Sequence, residues 1–344
     1  MNNIEQQFLQ LVQIMEDMQQ RIASLEQTNQ VLLRSNNQLI EVIEDQKQEL
    51  EAYQRNLFFE LNDPNDDRQD FWYPSIQSVE GTIDMIVKEG KSLARFGDGE
   101  FAAIAGRVRH RFQNEVDEKL QQRLAEVLQL EQGELLIGIA NNYGNLGRYT
   151  EQAKREIRRY LNPEVRREHL QLLHKNRIYC DAYVTRPYVM YADSQTDAPE
   201  KRFKDLQRIW ENRDCIFVEG CYTRLGIGND LFDNAGSIQR ILGPAENAFS
   251  KFQEILEVCM EQKKDTLFLL ALGPTATVLA YDLCKAGYQA VDVGHVDLEY
   301  EWFLQGKGCR MPIEGKYNNE LGEEQQLFPL RDEVYLSQII VDFS

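Results

Sequence analysis

Ser92-Leu93-Ala94-Arg95-Phe96-Gly97-Asp98-Gly99-Glu100-Phe101 passes from an apolar run into a glycine-flanked acidic turn, and a second apolar run follows. The pattern predicts a short buried strand, a tight turn and then a helix. Glycine on either side of Asp98 permits positive φ and leaves room for a ligand to approach the backbone. Asp98 and Glu100 stand at i and i+2. On a helix they would diverge by about 200°, whereas an extended turn points both to one side. Two hard carboxylates one residue apart suit a divalent cation, Mg²⁺ or Mn²⁺, held together with substrate phosphates. The structural alternative is a hydrophilic strand-to-helix turn with a capping Asp.

Upstream the pattern changes. Residues 4 to 57 carry an unbroken 3-4 spacing of apolar positions, without Gly or Pro. With Phe8 at heptad position a, Leu11, Leu25, Leu32 and Leu39 fall at d, and Gln and Glu fill most positions between. This predicts a coiled-coil arm over residues 1–60, roughly 80 Å long at the α-helical rise. Asn29 and Asn36 both fall at a. A buried Asn is best satisfied by its mate across a parallel, in-register pair, so a homodimer is expected, with a trimer next. Pro64 and the Asn/Asp cluster around it predict a linker over residues 61–71.

Residues 72–344 alternate short apolar runs with helical stretches. Strands are expected at 92–96, 134–140, 177–183, 215–218, 238–242, 266–272 and 290–293. Helices are expected at 79–89, 117–130, 152–160, 199–211, 245–262 and 276–286. This alternation predicts an α/β domain with a mostly parallel sheet flanked by helices. The apolar stretch 334–343 is expected to pack back on it.

Across 344 residues the formal net charge is −18, which argues against a nucleic-acid-binding surface. An anionic ligand would need a metal or a few placed arginines. The six cysteines form no C-x-x-C pair and lie mostly in apolar segments, as reduced thiols do. With no basic flank or apolar run at the N-terminus and no window long enough to span a bilayer, a cytoplasmic protein is expected.

Ligands of open α/β sheets sit at the carboxyl ends of strands. Besides the Asp98 turn, three segments supply polar groups there. The loop Glu219-Gly220-Cys221-Tyr222-Thr223-Arg224-Leu225-Gly226-Ile227-Gly228-Asn229-Asp230 can wrap a nucleotide, with Arg224 gripping a diphosphate; its glycines alternatively serve only turns. Leu272-Gly273-Pro274-Thr275-Ala276-Thr277 reads as a strand, a turn and a helix N-terminus whose N–H groups attract phosphate. In Gly294-His295-Val296-Asp297-Leu298-Glu299-Tyr300-Glu301, an extended backbone would put His295, Asp297 and Glu299 on one face. His295 is then a third metal ligand or a proton acceptor, or simply structural.

Together these segments resemble the bacterial GT-D glycosyltransferases, a family first catalogued as a domain of unknown function. The matching motifs are Arg95 to Glu100, Glu219 with Thr223 to Phe232, Leu272 to Thr277 and Gly294 to Trp302, spread over residues 72 to 317. The resemblance implies a Rossmann-like sheet, a nucleotide-sugar donor such as UDP-glucose, a glycan or glycoprotein acceptor, and Mn²⁺ (or Mg²⁺) on Asp98 and Glu100. Donor contacts are then expected from Arg95, Gly97, Arg224, Asn229, Asp230, Gly273 and Thr275. His295, Asp297 and Glu219 are candidates for the base. The competing expectation is a coiled-coil scaffold whose α/β domain binds a nucleotide without turning it over.

Overall fold

The structure, a computed structural model, describes residues 3–61, 72–108, 113–131, 133–318 and 331–344. The expected linker lies, from residue 62 onward, outside the described residues. The chain divides into two units, Met1–Arg55 and Asn56–Ser344.

The first unit is the greater part of helix α1 (Asn3–Leu61). Its a and d side chains stand in solvent: Phe8, Leu11, Met15, Met18, Ile22 and Leu25 are each more than half exposed.

The second unit starts at Asn56, earlier than the linker suggests, because the last turns of α1 carry side chains this unit uses. In chain order it contains β1 (Ser75–Ile76), α2 (Val79–Lys88), β2 (Ser92–Phe96), α3 (Asp98–Ile104), α4 (Glu118–Leu128), β3 (Leu135–Ile139), α5 (Glu151–Tyr160), α6 (Pro163–Leu172) and β4 (Ile178–Asp181). Then follow α7 (Ala198–Gln207), β5 (Asp214–Gly220), β6 (Ser237–Gly243), α8 (Phe252–Met260), β7 (Leu267–Ala271), α9 (Pro274–Lys285), β8 (Gln289–Asp292), α10 (Val296–Gln305), α11 (Glu333–Gln338) and β9 (Ile339–Asp342). The Glu60 carboxylate takes two hydrogen bonds from Arg158, at 2.7 and 2.9 Å, and Asn56 accepts from Arg166 at 3.0 Å.

The nine strands form one sheet in the order β1-β4-β3-β2-β8-β7-β5-β6-β9, every neighbouring pair parallel. Both faces are covered, so successive strand residues enter opposite cores. Leu267, Leu269 and Ala271 of β7 face a core with α2, α7 and α10, and Phe268 and Leu270 face one with α3, α4, α8 and α9. That is why the central strands read as continuous apolar runs rather than alternating ones. The seven strands expected from sequence are all present. The two edge strands are too short or too half-buried to carry such a signal, and β9 is the second half of the 334–343 stretch, paired with β6.

Two segments outside the acidic turn differ from their sequence reading. Residues 296–305 form helix α10, not an extended strand end, so Asp297 and Glu299 are not aligned by strand alternation. Helix α6 was not expected. Its start is nonetheless marked: Asn162 accepts from the N–H groups of Glu164 and Val165 at 3.0 Å, and Pro163 sits at the first helical position. Among the described residues no helix is long and apolar enough to cross a membrane.

Candidate active site

The sheet has a switch point between β2 and β8. From β2 the chain moves outward through β3 and β4 in one direction, while β7 and β8 approach β2 from the other. A crevice opens past the carboxyl ends of strands at such a point. Here it is a cleft of about 730 Å³.

Its floor is the first turn of α3. The acidic turn is not extended: Asp98 is already the first residue of the helix, and neither Gly97 nor Gly99 uses positive φ. Glu100 folds back so that Oε2 accepts the Gly97 N–H at 2.8 Å, closing the helix N-terminus. The pair nevertheless shares the cleft, since both Asp98 and Glu100 line it. The reason is this backward fold of Glu100 and not the strand-like alternation expected from the sequence. Two negative side chains in the first turn also complement the helix dipole.

Across from them lies the end of β8. Arg95 donates from Nε to the Asp292 carbonyl at 2.9 Å and from Nη2 to Asp292 Oδ1 at 2.8 Å, tying β2 to β8. Gly294, at φ 48°, makes this possible, because a Cβ there would sit 2.0 Å from Arg95 Nη2. His295 follows as the N-cap of α10 and also lines the cleft.

The outer wall comes from α5, α6 and the segments after β3, β4 and α10, none of which carries a recognisable motif. Tyr143, Tyr160, Tyr183, Arg159, Arg186 and Arg310 line it, with Asn142 donating to Tyr183 Oη at 3.1 Å. His169 of α6 is fixed there. Its ring stacks on Phe101 of α3 at 3.8 Å, Nδ1 meets Tyr143 Oη at 2.8 Å and Nε2 meets Tyr160 Oη at 3.0 Å. Burial pushes its pKa down to about 3, so the imidazole is neutral and braces the helix bearing Asp98.

Arg95, Gly97, Asp98, Glu100, Gly273 and His295 are thus brought together in the cleft. The other sequence candidates lie behind it. Glu219 is fully buried: Oε1 pairs with Arg240 and Oε2 accepts the Leu225 N–H at 2.7 Å. Burial raises its carboxyl pKa against the pull of Arg240. Asp297 is held by Lys316 at 2.6 Å, by the Gly226 N–H at 2.8 Å and by Asn229 at 2.8 Å. Asn229 also reaches Glu301, and Asp230 accepts from Tyr300 Oη at 2.8 Å. Arg224 is buried and donates to the Gly315 carbonyl at 2.6 Å, so its loop contributes Thr223 to the cleft instead. Thr275 is buried beneath Gly273 and Pro274, which line the cleft in its place. These residues knit the 219–230 loop to α10 and to residues 315–316.

Among the described residues no three His, Cys, Asp or Glu side chains form a metal-binding group, and His295 lines the cleft together with Asp98 and Glu100. Two hard carboxylates without a nitrogen or sulfur partner still fit a Mg²⁺- or Mn²⁺-type ion. Such ions are commonly held by one or two carboxylates, with water and phosphate oxygens completing the shell.

A parallel sheet wound both ways, with carboxylates and arginines meeting at its switch point, defines an α/β protein suited to phosphate-bearing ligands. A family model described as the glycosyltransferase GT-D fold matches residues 93–321, and the chain belongs to that family. It is 36% identical over 272 residues to the probable glycosyl transferase Gly of Streptococcus gordonii, a match covering 78% of this chain and 39% of the relative. It is 37% identical over 272 residues to the glycosyltransferase GlyD of Streptococcus pneumoniae, covering 77% and 32%. The chain therefore spans only about a third to two fifths of the length of these curated relatives. Among solved structures it resembles a new glycosyltransferase (DUF1792) from Streptococcus sanguinis, with a TM-score of 0.73 and 34% identity, covering 79% of this chain and all of that one. A second similar structure, of a domain of unknown function 1792 described as having a distinct glycosyltransferase fold, gives 0.72 and 32% over 79% of this chain and 96% of that one.

Proposed function

We propose that the protein transfers a hexose, glucose in the first instance, from a UDP-sugar to a hydroxyl of a glycan or glycoprotein, with Mn²⁺ or Mg²⁺ held by Asp98 and Glu100. The observation that carries this reading is the mix of charges in the cleft. In a chain of net charge −18, four arginines (95, 159, 186 and 310) line one cavity at the switch point of the sheet, facing the carboxylates of Asp98, Glu100, Glu156 and Asp292. A nucleoside diphosphate is an anion that such a group would hold, and Arg95 is fixed by Asp292 before any ligand arrives. When bound, the ion would supply positive charge to the diphosphate as it leaves. Tyr143, Tyr160 and Tyr183 offer the outer wall for the flat or apolar faces of base and sugar.

A panel of nucleotide sugars incubated with Mn²⁺ and scored for nucleotide release tests this. Release from UDP-glucose above the other donors is the expected result. Binding without release from any donor, in the presence of extracts containing acceptors, would leave only the nucleotide-binding scaffold.

The helical arm is read as a parallel, in-register homodimerising coiled coil. In that register Arg21 at g meets Glu26 at e of the partner helix, an attractive pair, and Asn29 and Asn36 meet their own mates. Replacing both Asn residues with Ile should raise thermal stability and loosen the choice of oligomer. Removing residues 1–55 should give a folded monomer. Removing 1–61 also takes away Asn56 and Glu60, partners of Arg166 and Arg158, and should lower the melting temperature. Light scattering that finds the intact chain monomeric at micromolar concentration would refute the pairing.

A further inference from the structure

We propose that Asp292 is the catalytic base of the transfer, its Oδ2 accepting the proton of the attacking hydroxyl; this rests on the glycosyltransferase reading above. Asp292 ends β8 at the switch point, across the cleft from the first turn of α3. Its Oδ1 accepts from Arg95 Nη2 at 2.8 Å and from the Gly294 N–H at 3.1 Å, which fixes the plane of the carboxylate. Neither bond uses Oδ2, the Arg95 backbone N–H also lies beside the carboxylate, and the small part of the side chain left uncovered, 6%, belongs to a residue lining the cleft. Oδ1 is thus anchored by two bonds that leave Oδ2 out. A general base needs that combination: a fixed direction and an unused lone pair within reach of substrate.

The acidic side chains singled out from sequence lack it. Both oxygens of Glu219 and of Asp297 are taken by Arg240, Lys316 and backbone N–H groups behind the cleft. Asp98 and Glu100 are assigned to the ion. Burial also raises the Asp292 carboxyl pKa, partly offset by Arg95, which favours proton acceptance over a strongly acidic carboxylate.

The step balances as a single displacement. The acceptor O–H bond breaks and its proton passes to Asp292 Oδ2, while the acceptor oxygen forms a bond to the anomeric carbon. The bond from that carbon to the diphosphate oxygen breaks, and its electron pair leaves on the nucleoside diphosphate. The anomeric configuration inverts.

Asp292→Asn tests this with little disturbance, since an amide oxygen in place of Oδ1 still accepts from Arg95 and Gly294. UDP release from UDP-glucose with Mn²⁺, water serving as acceptor, is measured against donor concentration, and UDP affinity by calorimetry. The expected result is a kcat lower by about 100-fold or more, with donor KM and UDP affinity within about threefold of wild type. Asp292→Glu, which keeps a carboxylate, should recover about tenfold of that loss. A kcat for Asp292→Asn close to wild type overturns the assignment, as does a loss confined to KM and UDP affinity, or a sugar product that retains the donor's configuration. Should Asp292→Asn not fold, an Asp292→Glu no more active than Asp292→Gln overturns it equally. A wild type that releases nucleotide from no donor counts against the underlying reading and removes the role of Asp292 with it. An active wild type beside an equally active variant counts against Asp292 alone.

Discussion

Arg240→Met should lower the stability of the globular unit by about 3–5 kcal/mol, read as a large fall in melting temperature and denaturation midpoint. Arg240 and Glu219 are 2% and 0% exposed, so the pair is fully out of water. Arg240 is also held from Nη2 to the Leu225 carbonyl at 2.9 Å and from Nε to Gln338 at 2.8 Å, between the rings of Phe217 and Tyr335. Met fills much of the volume but leaves the Glu219 carboxylate buried beside one N–H donor. An uncompensated buried charge is what makes breaking such a pair expensive. The double variant Glu219→Leu with Arg240→Met removes both charges and should regain much of the loss, a coupling that a double-mutant cycle measures directly. A single-variant loss below about 1 kcal/mol would contradict this account. The same experiment separates structure from chemistry. If Glu219 serves only to hold the 219–230 loop, its variants lose stability before they lose turnover.

That loop shows where the sequence stops being informative. The sheet was legible because burying both faces of a parallel strand demands an unbroken apolar run, and Thr266 to Leu272 is such a run. The acidic helix start at Asp98 was legible for a related reason: Gly-Asp-Gly-Glu between two apolar runs leaves few local structures. Glu219, Arg224, Asp297 and Glu299 drew attention because charged residues near strand ends are so often functional. What neutralises them lies far along the chain. Asp297 meets Lys316, and Glu299 accepts the N–H groups of Tyr188 and Val189 at 3.1 and 3.0 Å. No local pattern announces such partners. The alternation of His295, Asp297 and Glu299 suggested a strand, yet Gly306, in the left-handed conformation that ends α10, was the available sign of a helix. Asp292 was passed over because it closes an apolar strand and carries no motif. The outer wall was invisible for a different reason. Arg159, Tyr160 and His169 occupy ordinary positions on short amphipathic helices, and only the crossover after β3 carries them to the cleft.

Asp98→Asn should lower nucleotide-sugar turnover by two orders of magnitude or more, about 3 kcal/mol of transition-state stabilisation, and Glu100→Gln by less. The ranking follows from α3. Glu100 already commits Oε2 to the Gly97 N–H, and Gln keeps an oxygen for that bond. Asp98 stands at the first helical position and lines the cleft, where a divalent ion would meet its charge. Stability should hardly change. Losing one negative charge from a helix N-terminus costs about 0.3–1 kcal/mol, within reach of careful thermal denaturation but too little to unfold the domain. Turnover should vanish in excess chelator and return with Mn²⁺ or Mg²⁺. Mn²⁺ titration followed by electron paramagnetic resonance gives a readout independent of catalysis: the wild type with UDP should bind the ion more tightly than Asp98→Asn with UDP. An Asp98→Asn variant that turns over donor at the wild-type rate, or equal Mn²⁺ affinity in both proteins, would remove the ion from this helix. The cleft's arginines would then have to hold the diphosphate alone, and substituting Arg186 or Arg310 should in that case produce the larger loss.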